Sequence, residues 1–189
     1  MSTVFAEYHL FRISDPGGAV TDDIDASLTG LVAADDGSIE ILTGIHTGDV
    51  SVSFAPHTGE PALAPGPWEE IAEISFHSPT GEVVLHSLTG DGTDPLPLAA
   101  GPGDYRLRVA ARGRDTAVDT TVETVVEWYR IDCWPAPPQP PALVRTGDRY
   151  GADQRAVPRP ATRIINHGPQ GQAAIEHDIL KRAEQGDHT

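Results

Sequence analysis

Short apolar runs with a period of two occupy the first two thirds of the chain, and they constrain the fold more than any other feature. Alternation of apolar and polar residues is typical of a strand that buries one face and exposes the other. The alternating runs cover 38–41, 50–54, 72–76 and 105–112, and further apolar runs cover 4–13, 83–88 and 122–134. The sequence therefore predicts a core of strands that ends near residue 134.

Turn-forming residues separate these runs. Asp, Pro and Gly cluster at 15–18, 35–37, 79–81, 91–92 and 101–104. The turn at 79–81 joins two strong runs by a short connection and predicts a β-hairpin. No strand–helix–strand alternation is present, which argues against a parallel doubly wound sheet. We therefore predict an all-β fold, an antiparallel β-sandwich or an open barrel of about seven to eight strands.

The 189 residues suit one domain followed by a tail. We assign residues 1–134 to an acidic β-sandwich domain that folds without the tail. Residues 135–168 begin with a run of prolines and then mix Arg, Gly, Asp and Pro without an apolar period, which predicts an irregular tail. The prolines favour an exit linker, and a ligand for an aromatic-lined groove is the alternative. Residues 169–189 contain a predicted short amphipathic helix over 172–185 and the terminus.

Charge is distributed unevenly along the chain. The formal net charge is 13 − 28 = −15, and residues 1–104 contain 17 acidic residues and one basic residue, which gives −16. Such a surface repels nucleic acid and anionic membranes. We therefore expect no direct nucleic-acid partner and no membrane association, and we expect a basic protein partner instead.

The acidic residues of two turn-rich segments are the candidate protein-binding site. Turns point outward, so their carboxylates are available to a basic partner. The predicted site residues are Asp22, Asp23, Asp25, Asp35 and Asp36.

The sequence contains none of the strong catalytic motifs. A Gly-x-Ser-x-Gly elbow, a dinucleotide-binding Gly-x-Gly-x-x-Gly and a phosphate-binding loop with Lys are all missing. Cys133 is the only cysteine, so no internal disulfide forms, and its acidic neighbour Asp132 argues against a reactive thiolate. The acidic clusters do not follow the pattern of a calcium loop. We therefore predict no enzyme activity, no cofactor and no metal site.

Histidines in strand-like segments leave one alternative open. Neutral imidazoles from adjacent strands bind Zn²⁺ or Cu²⁺ in many proteins. The candidates are His46, His57, His77 and His86. None is paired at a spacing typical of metal ligands, and the best case is His77 with His86, which would flank the predicted hairpin. A small metal-dependent enzyme is thus the second alternative function.

Five segments together resemble the competence protein J family, the inhibitors of the DNA-entry nuclease, and its actinobacterial relatives. These segments are YHLF at 8–11, AADDGSI at 33–39, WEEIAEISF at 68–76, PGDYRL at 102–107 leading into ARGRD at 111–115, and YRIDCWP at 129–135. The resemblance covers about residues 3–137. It implies a compact β-sandwich that binds and inhibits a nuclease, and it identifies no inhibitory residue.

These observations favour a non-enzymatic, acidic protein-binding module, in the manner of an inhibitor or immunity-type protein for a nuclease or toxin. The first alternative is a structural or interaction module that acts through its proline-rich tail and C-terminal helix. The single cysteine and the absence of a signal peptide or long apolar window favour a cytoplasmic protein. The near absence of Lys, together with many Ala, Gly and Pro, favours a bacterial source.

Overall fold

The computed structural model describes residues 2–18, 25–35, 37–90 and 92–157. The described residues form β-strands, one 3₁₀ helix at Ala26–Leu28 and one α-helix, α1, at Arg149–Ala156. The strands are β1 (Ser2–Glu7), β2 (Leu10–Ser14), β3 (Val32–Asp35), β4 (Ser38–Leu42), β5 (Thr47–Pro56), β6 (Glu70–Ser78), β7 (Glu82–His86), β8 (Leu96–Pro97), β9 (Gly103–Arg112), β10 (Trp128–Pro135) and β11 (Ala142–Arg145). The predicted helix at 172–185 lies outside the described residues.

The eleven strands belong to one sheet in the order β11-β6-β9-β10-β5-β1-β2-β4-β3, with β7 joined to β2 and β8 joined to β7. The sheet curls, so its two ends approach each other: Ala33 and Ala34 of β3 line the same cavity as Ile74 and Ser75 of β6. The core fills the inside of the curl and includes Phe11, whose ring meets that of Tyr129 edge to face at 5.1 Å. The architecture is an open half-barrel.

The predicted all-β fold is confirmed, and the open barrel describes it better than the sandwich. The alternating runs form β4, β5, β6 and β9. The predicted number of strands was too low, partly because the run at 4–13 forms two strands. The chain turns between them at Tyr8 and His9, and neither residue is a usual turn signal. One pair also departs from the antiparallel prediction, since β10 inserts parallel to β5.

The predicted hairpin at 79–81 is wrong. The strand β6 pairs with β9 and β11, whereas β7 pairs with β2 and β8. Asp15 is the physical reason, because this buried carboxylate accepts hydrogen bonds from Ser78 and from the Thr80 backbone and hydroxyl. These hydrogen bonds hold the turn against the end of β2. The chain therefore continues into β7, which pairs with β2, and does not fold back onto β6.

Regular structure continues beyond the predicted end of the core at residue 134. The strand β11 pairs antiparallel with β6, and α1 is capped at its start by Asp148, whose carboxylate accepts the Gly151 N–H at 2.7 Å. The same carboxylate receives two hydrogen bonds from Arg114, at 2.7 and 2.8 Å, and both side chains are fully buried. The stretch predicted as an irregular tail therefore contains a strand and a helix, and one compact unit extends to Val157.

Candidate protein-binding surface

The structure describes two of the five predicted site residues. Asp22, Asp23 and Asp36 lie outside the described residues. Asp25 is exposed and caps the 3₁₀ helix by accepting the Ser27 N–H at 2.8 Å. Asp35 is exposed at the end of β3.

Both of these aspartates border the seam at which the curled sheet stays open. Asp25 lines a cavity of about 270 Å³ together with Ala34 and Ser75. Asp35 lines a neighbouring cavity of about 260 Å³ that shares Ala34 and Ser75. The two cavities therefore form one groove along β3, which we call the seam groove, with a predicted site residue on each part.

The structure adds to this groove Asp104, which the sequence did not single out, and His77, which the sequence offered only as a metal ligand. His77 and Asp104 line the same cavity as Asp35, and the His77 Nδ1 lies 2.8 Å from the Asp104 Oδ1. Their side chains are 58% and 46% exposed. They are opposite each other in the β6–β9 register, which only the strand pairing reveals.

The groove can recognise positive charge. Asp35 and Asp104 are carboxylates at a mouth whose walls include Ala34, Phe76 and Pro138. A Lys or Arg side chain can place its apolar stem against such walls and its charged end beside the carboxylates. The groove is shallow and water-accessible, as suits a contact with another protein.

The four candidate metal-binding histidines have separate hydrogen-bond partners. His46 meets Thr47, His57 meets Asp132, His77 meets Asp104, and His86 meets Ser14. Within the described residues, no three His, Cys, Asp or Glu side chains come together as a metal site would require.

Cys133 is buried, and this burial raises the pKa of its thiol to about 12. The thiolate is therefore scarce at neutral pH, which agrees with a structural role for this residue.

The arginines of β9 pair within the protein. Arg106 and Arg108 both reach Glu73, at 3.3 and 2.7 Å, and Arg108 also lies over the ring of Trp134. Arg112 lies over the ring of Trp128. These contacts occupy the arginines of β9, so these residues do not form a free basic stripe of the kind that binds DNA.

Comparison with known proteins gives a match in structure only. No protein-family model and no curated protein sequence matches the chain. Among solved structures, the chain is similar to ComJ from Bacillus subtilis, an inhibitor of the DNA-degrading activity of NucA. The TM-score is 0.52 at 18% identity, over 72% of this chain and 96% of ComJ. A second similar structure is the product of crocagin biosynthetic gene J, with a TM-score of 0.46 at 14% identity, over 72% of this chain and 100% of that one.

The resemblance to the competence protein J family is thus confirmed at the level of the fold.

Neither the 3₁₀ helix nor α1, the helices of the described residues, has the length and hydrophobicity of a membrane-spanning helix.

Proposed function

We propose that this protein binds a nuclease and inhibits it, without catalysing a reaction itself. The observation that carries the proposal is the shared fold, since almost the whole length of ComJ, a nuclease inhibitor, aligns with this chain. A shared fold does not by itself imply a shared function, so the charge and the shape of the surface must agree with it independently.

The electrostatics support this proposal. Nucleases bind phosphates and therefore present basic clefts, which attract an acidic protein face. The charge of −16 within residues 1–104 gives the protein an acidic surface of this kind. The seam groove contributes Asp25, Asp35 and Asp104 to it, and we include Asp22, Asp23 and Asp36 in the proposed binding site.

The alternative that relies on the proline-rich segment receives less support. The segment's Gln139 is held against the sheet, because its N–H donates to the Ser75 hydroxyl at 3.0 Å and its carbonyl accepts from Arg106 at 3.1 Å. Pro138 and Pro141 line the walls of the seam groove. A segment held in this way is part of the folded unit.

We also place the protein in the cytoplasm, because a single cysteine suits a reducing compartment.

The experiment is a capture followed by an activity assay. The full-length protein is immobilised, and partners are captured from an extract of the organism that produces it. Each captured protein is then purified and tested for hydrolysis of duplex DNA. We expect one captured nuclease whose activity falls in proportion to added protein and stops at an equimolar ratio.

Two controls separate inhibition from simple acidity. An unrelated pancreatic nuclease should remain active at the same protein concentration, and excess Mg²⁺ should not restore the inhibited enzyme. If no captured protein degrades DNA, or if added Mg²⁺ abolishes the inhibition, the proposal is wrong.

A further inference from the structure

Three non-glycine residues with positive φ come together at one place on the surface. They are Tyr8 (φ 52°), His9 (φ 66°) and Asp119 (φ 56°), and no other described residue except glycine has this conformation. Asp, Asn and His enter the left-handed region at some cost, and a bulky residue such as Tyr rarely does. Backbone strain of this kind persists where the surrounding structure enforces it, and it concentrates at functional sites.

The two residues of the β1–β2 turn contribute most of this strain. Glu7 pairs with Leu10, so Tyr8 and His9 form a two-residue hairpin loop. Positive φ at both positions defines a type I′ turn, for which Asn-Gly is the preferred sequence. A Tyr at the first position therefore costs stability, and the turn geometry alone does not explain its presence.

The surrounding structure holds this turn in place. The His9 N–H donates to the His46 carbonyl at 3.1 Å, and the His9 ring nitrogen Nε2 lies 3.1 Å from the Asp119 Oδ1. Asp119 is fixed in turn, because its N–H donates to the Gly44 carbonyl at 2.9 Å. Beneath them, the buried Glu127 carboxylate accepts the N–H groups of Gly44 and Ile45. The patch is thus organised before any partner arrives.

The strained residues present an aromatic ring and a carboxylate that are connected through the rings of His46 and His9. Tyr8 is 65% exposed, and its ring meets the His46 ring edge to face with centroids 5.4 Å apart. The Asp119 side chain is 76% exposed, and its neighbour Val118 is also exposed. Tyr8, His46, Val118 and Asp119 form what we call the Tyr8 patch.

From this geometry we infer that the Tyr8 patch is a docking surface for a cationic side chain of a protein partner. A tyrosine ring attracts an ammonium or guanidinium group through its face, and a neighbouring carboxylate adds an ion pair. Exposed aromatic residues held in place are typical centres of binding energy at interfaces. The net charge of −15 favours a basic partner at this surface as well.

The Tyr8 patch is separate from the seam groove. Leu10, beside the β1–β2 turn, pairs with Leu42 at the end of β4, whereas Asp35 pairs with Ser38 at the start of β4. The inference rests on the proposed function in one respect only, namely that the partner at this docking surface is a nuclease.

The test compares variants of the full-length protein as baits in host extract. Tyr8→Asn removes the ring and places a residue suited to positive φ, Tyr8→Phe restores the ring, and Asp119→Asn removes only the charge. Phe5→Ala removes another exposed aromatic residue, on β1 and outside the patch. The captured proteins are quantified, and each is then purified for binding measurements.

We expect Tyr8→Asn to melt at the same temperature as the natural protein or above it, because the turn is less strained. We expect it to bind a basic captured protein about tenfold more weakly or worse. Tyr8→Phe and Phe5→Ala should bind as the natural protein does, and Asp119→Asn should associate more slowly.

The outcomes separate this inference from the proposed function. A captured nuclease that is inhibited equally by the natural protein and by Tyr8→Asn overturns the docking surface and leaves the proposed function intact. A basic protein that does not degrade DNA, and whose capture depends on the ring at position 8, supports the surface and contradicts the proposed function. Capture of no basic protein by the natural chain overturns the docking surface, and the proposed function is overturned as well if no captured protein degrades DNA.

Discussion

Among the described residues, Arg114 is the largest side chain that is completely buried, and it is charged. Burying an ion costs several kcal/mol unless a partner and hydrogen bonds compensate. Asp148 compensates this charge with two hydrogen bonds, and the Gly30 carbonyl accepts a third at 2.8 Å. Stability at this site therefore depends on a residue 34 positions further along the chain.

Asp148→Asn tests this dependence. Asn still caps a helix well, so the substitution removes mainly the charge. We expect the free energy of unfolding to fall by about 3 kcal/mol, because Arg114 is left buried without its counter-ion. Urea unfolding followed by tryptophan fluorescence measures the change. Asp153→Asn, an exposed position in α1, is the matched control and should change stability by less than about 0.5 kcal/mol. Equal effects of the two substitutions would contradict the buried ion pair.

Asp15 predicts a pH dependence. Burial by itself raises the pKa of this carboxyl, but hydrogen bonds from Ser78, Gly17 and Thr80 outweigh burial and lower the pKa below 3.8. A group with a depressed pKa in the folded state stabilises the fold above its unfolded pKa, and this contribution is lost as pH falls through the folded pKa. Asp15→Asn should therefore cost about 2 kcal/mol at pH 7, and the cost should shrink below about pH 4.

Urea titrations of the natural protein and of Asp15→Asn at pH 7 and at pH 3 measure this difference. Asp94→Asn, an exposed aspartate, serves as the control. A cost for Asp15→Asn that is the same at both pH values would show that the ionised carboxylate is not what fastens the 78–81 turn.

At the scale of elements, β11 and α1 decide where the folded unit ends. The strand β11 covers part of the β6 edge, and α1 delivers Asp148 to Arg114 and Arg155 to the buried Glu70. Glu70 also accepts the Gly147 N–H at 3.0 Å. These contacts connect residues 142–157 to the core through the fully buried Arg114–Asp148 pair and through the buried carboxylate of Glu70.

Two truncations test this role. A chain that ends after residue 157 should retain a cooperative melt, because it keeps all of these contacts. A chain that ends after residue 141 should lose at least about 3 kcal/mol, since Arg114 and Glu70 both lose partners in the interior. Thermal unfolding followed by circular dichroism in the strand region compares the two chains. Equal melting temperatures would instead support the sequence-based prediction that residues 1–134 fold without the tail.

At the scale of the whole molecule, the acidic charge should control how fast a partner arrives. Long-range attraction between opposite charges raises association rates by roughly 10–1000-fold and weakens with added salt. Replacing Asp22, Asp23, Asp25, Asp35 and Asp36 by Asn should slow association with the captured nuclease by about tenfold or more, and the fold should persist. Stopped-flow measurements at increasing ionic strength give the rates.

A second charge variant shows whether location matters. Replacing Asp49, Glu82, Asp94, Glu123 and Asp153 by their amides neutralises five exposed acids elsewhere and changes the net charge equally, from −15 to −10. We expect a smaller effect from this variant. Equal slowing by both variants would mean that the acidic segments contribute only to the total charge, and an association rate insensitive to salt would exclude steering altogether.

The class of the fold and most of the strands follow from the residue pattern alone. A side-chain period of two is a local property, so β4, β5, β6 and β9 follow from the alternation around Ile39, Val52, Ile74 and Leu107. The excess of acidic residues can also be read directly from the sequence. The same is true of the surface position of Asp25 and Asp35, because aspartates in turn-rich segments point outward.

The pairing of the strands, the end of the folded unit and the meetings of polar residues depend instead on contacts between distant parts of the chain. Asp15 redirects the chain after β6, Arg114 requires Asp148, and His77 reaches Asp104 only through the β6–β9 register. The backbone strain at Tyr8 and His9 also cannot be read from the sequence, because their side chains do not predict a turn. Each of these features depends on groups far apart in the chain, whose interaction becomes strong only when folding excludes water from between them.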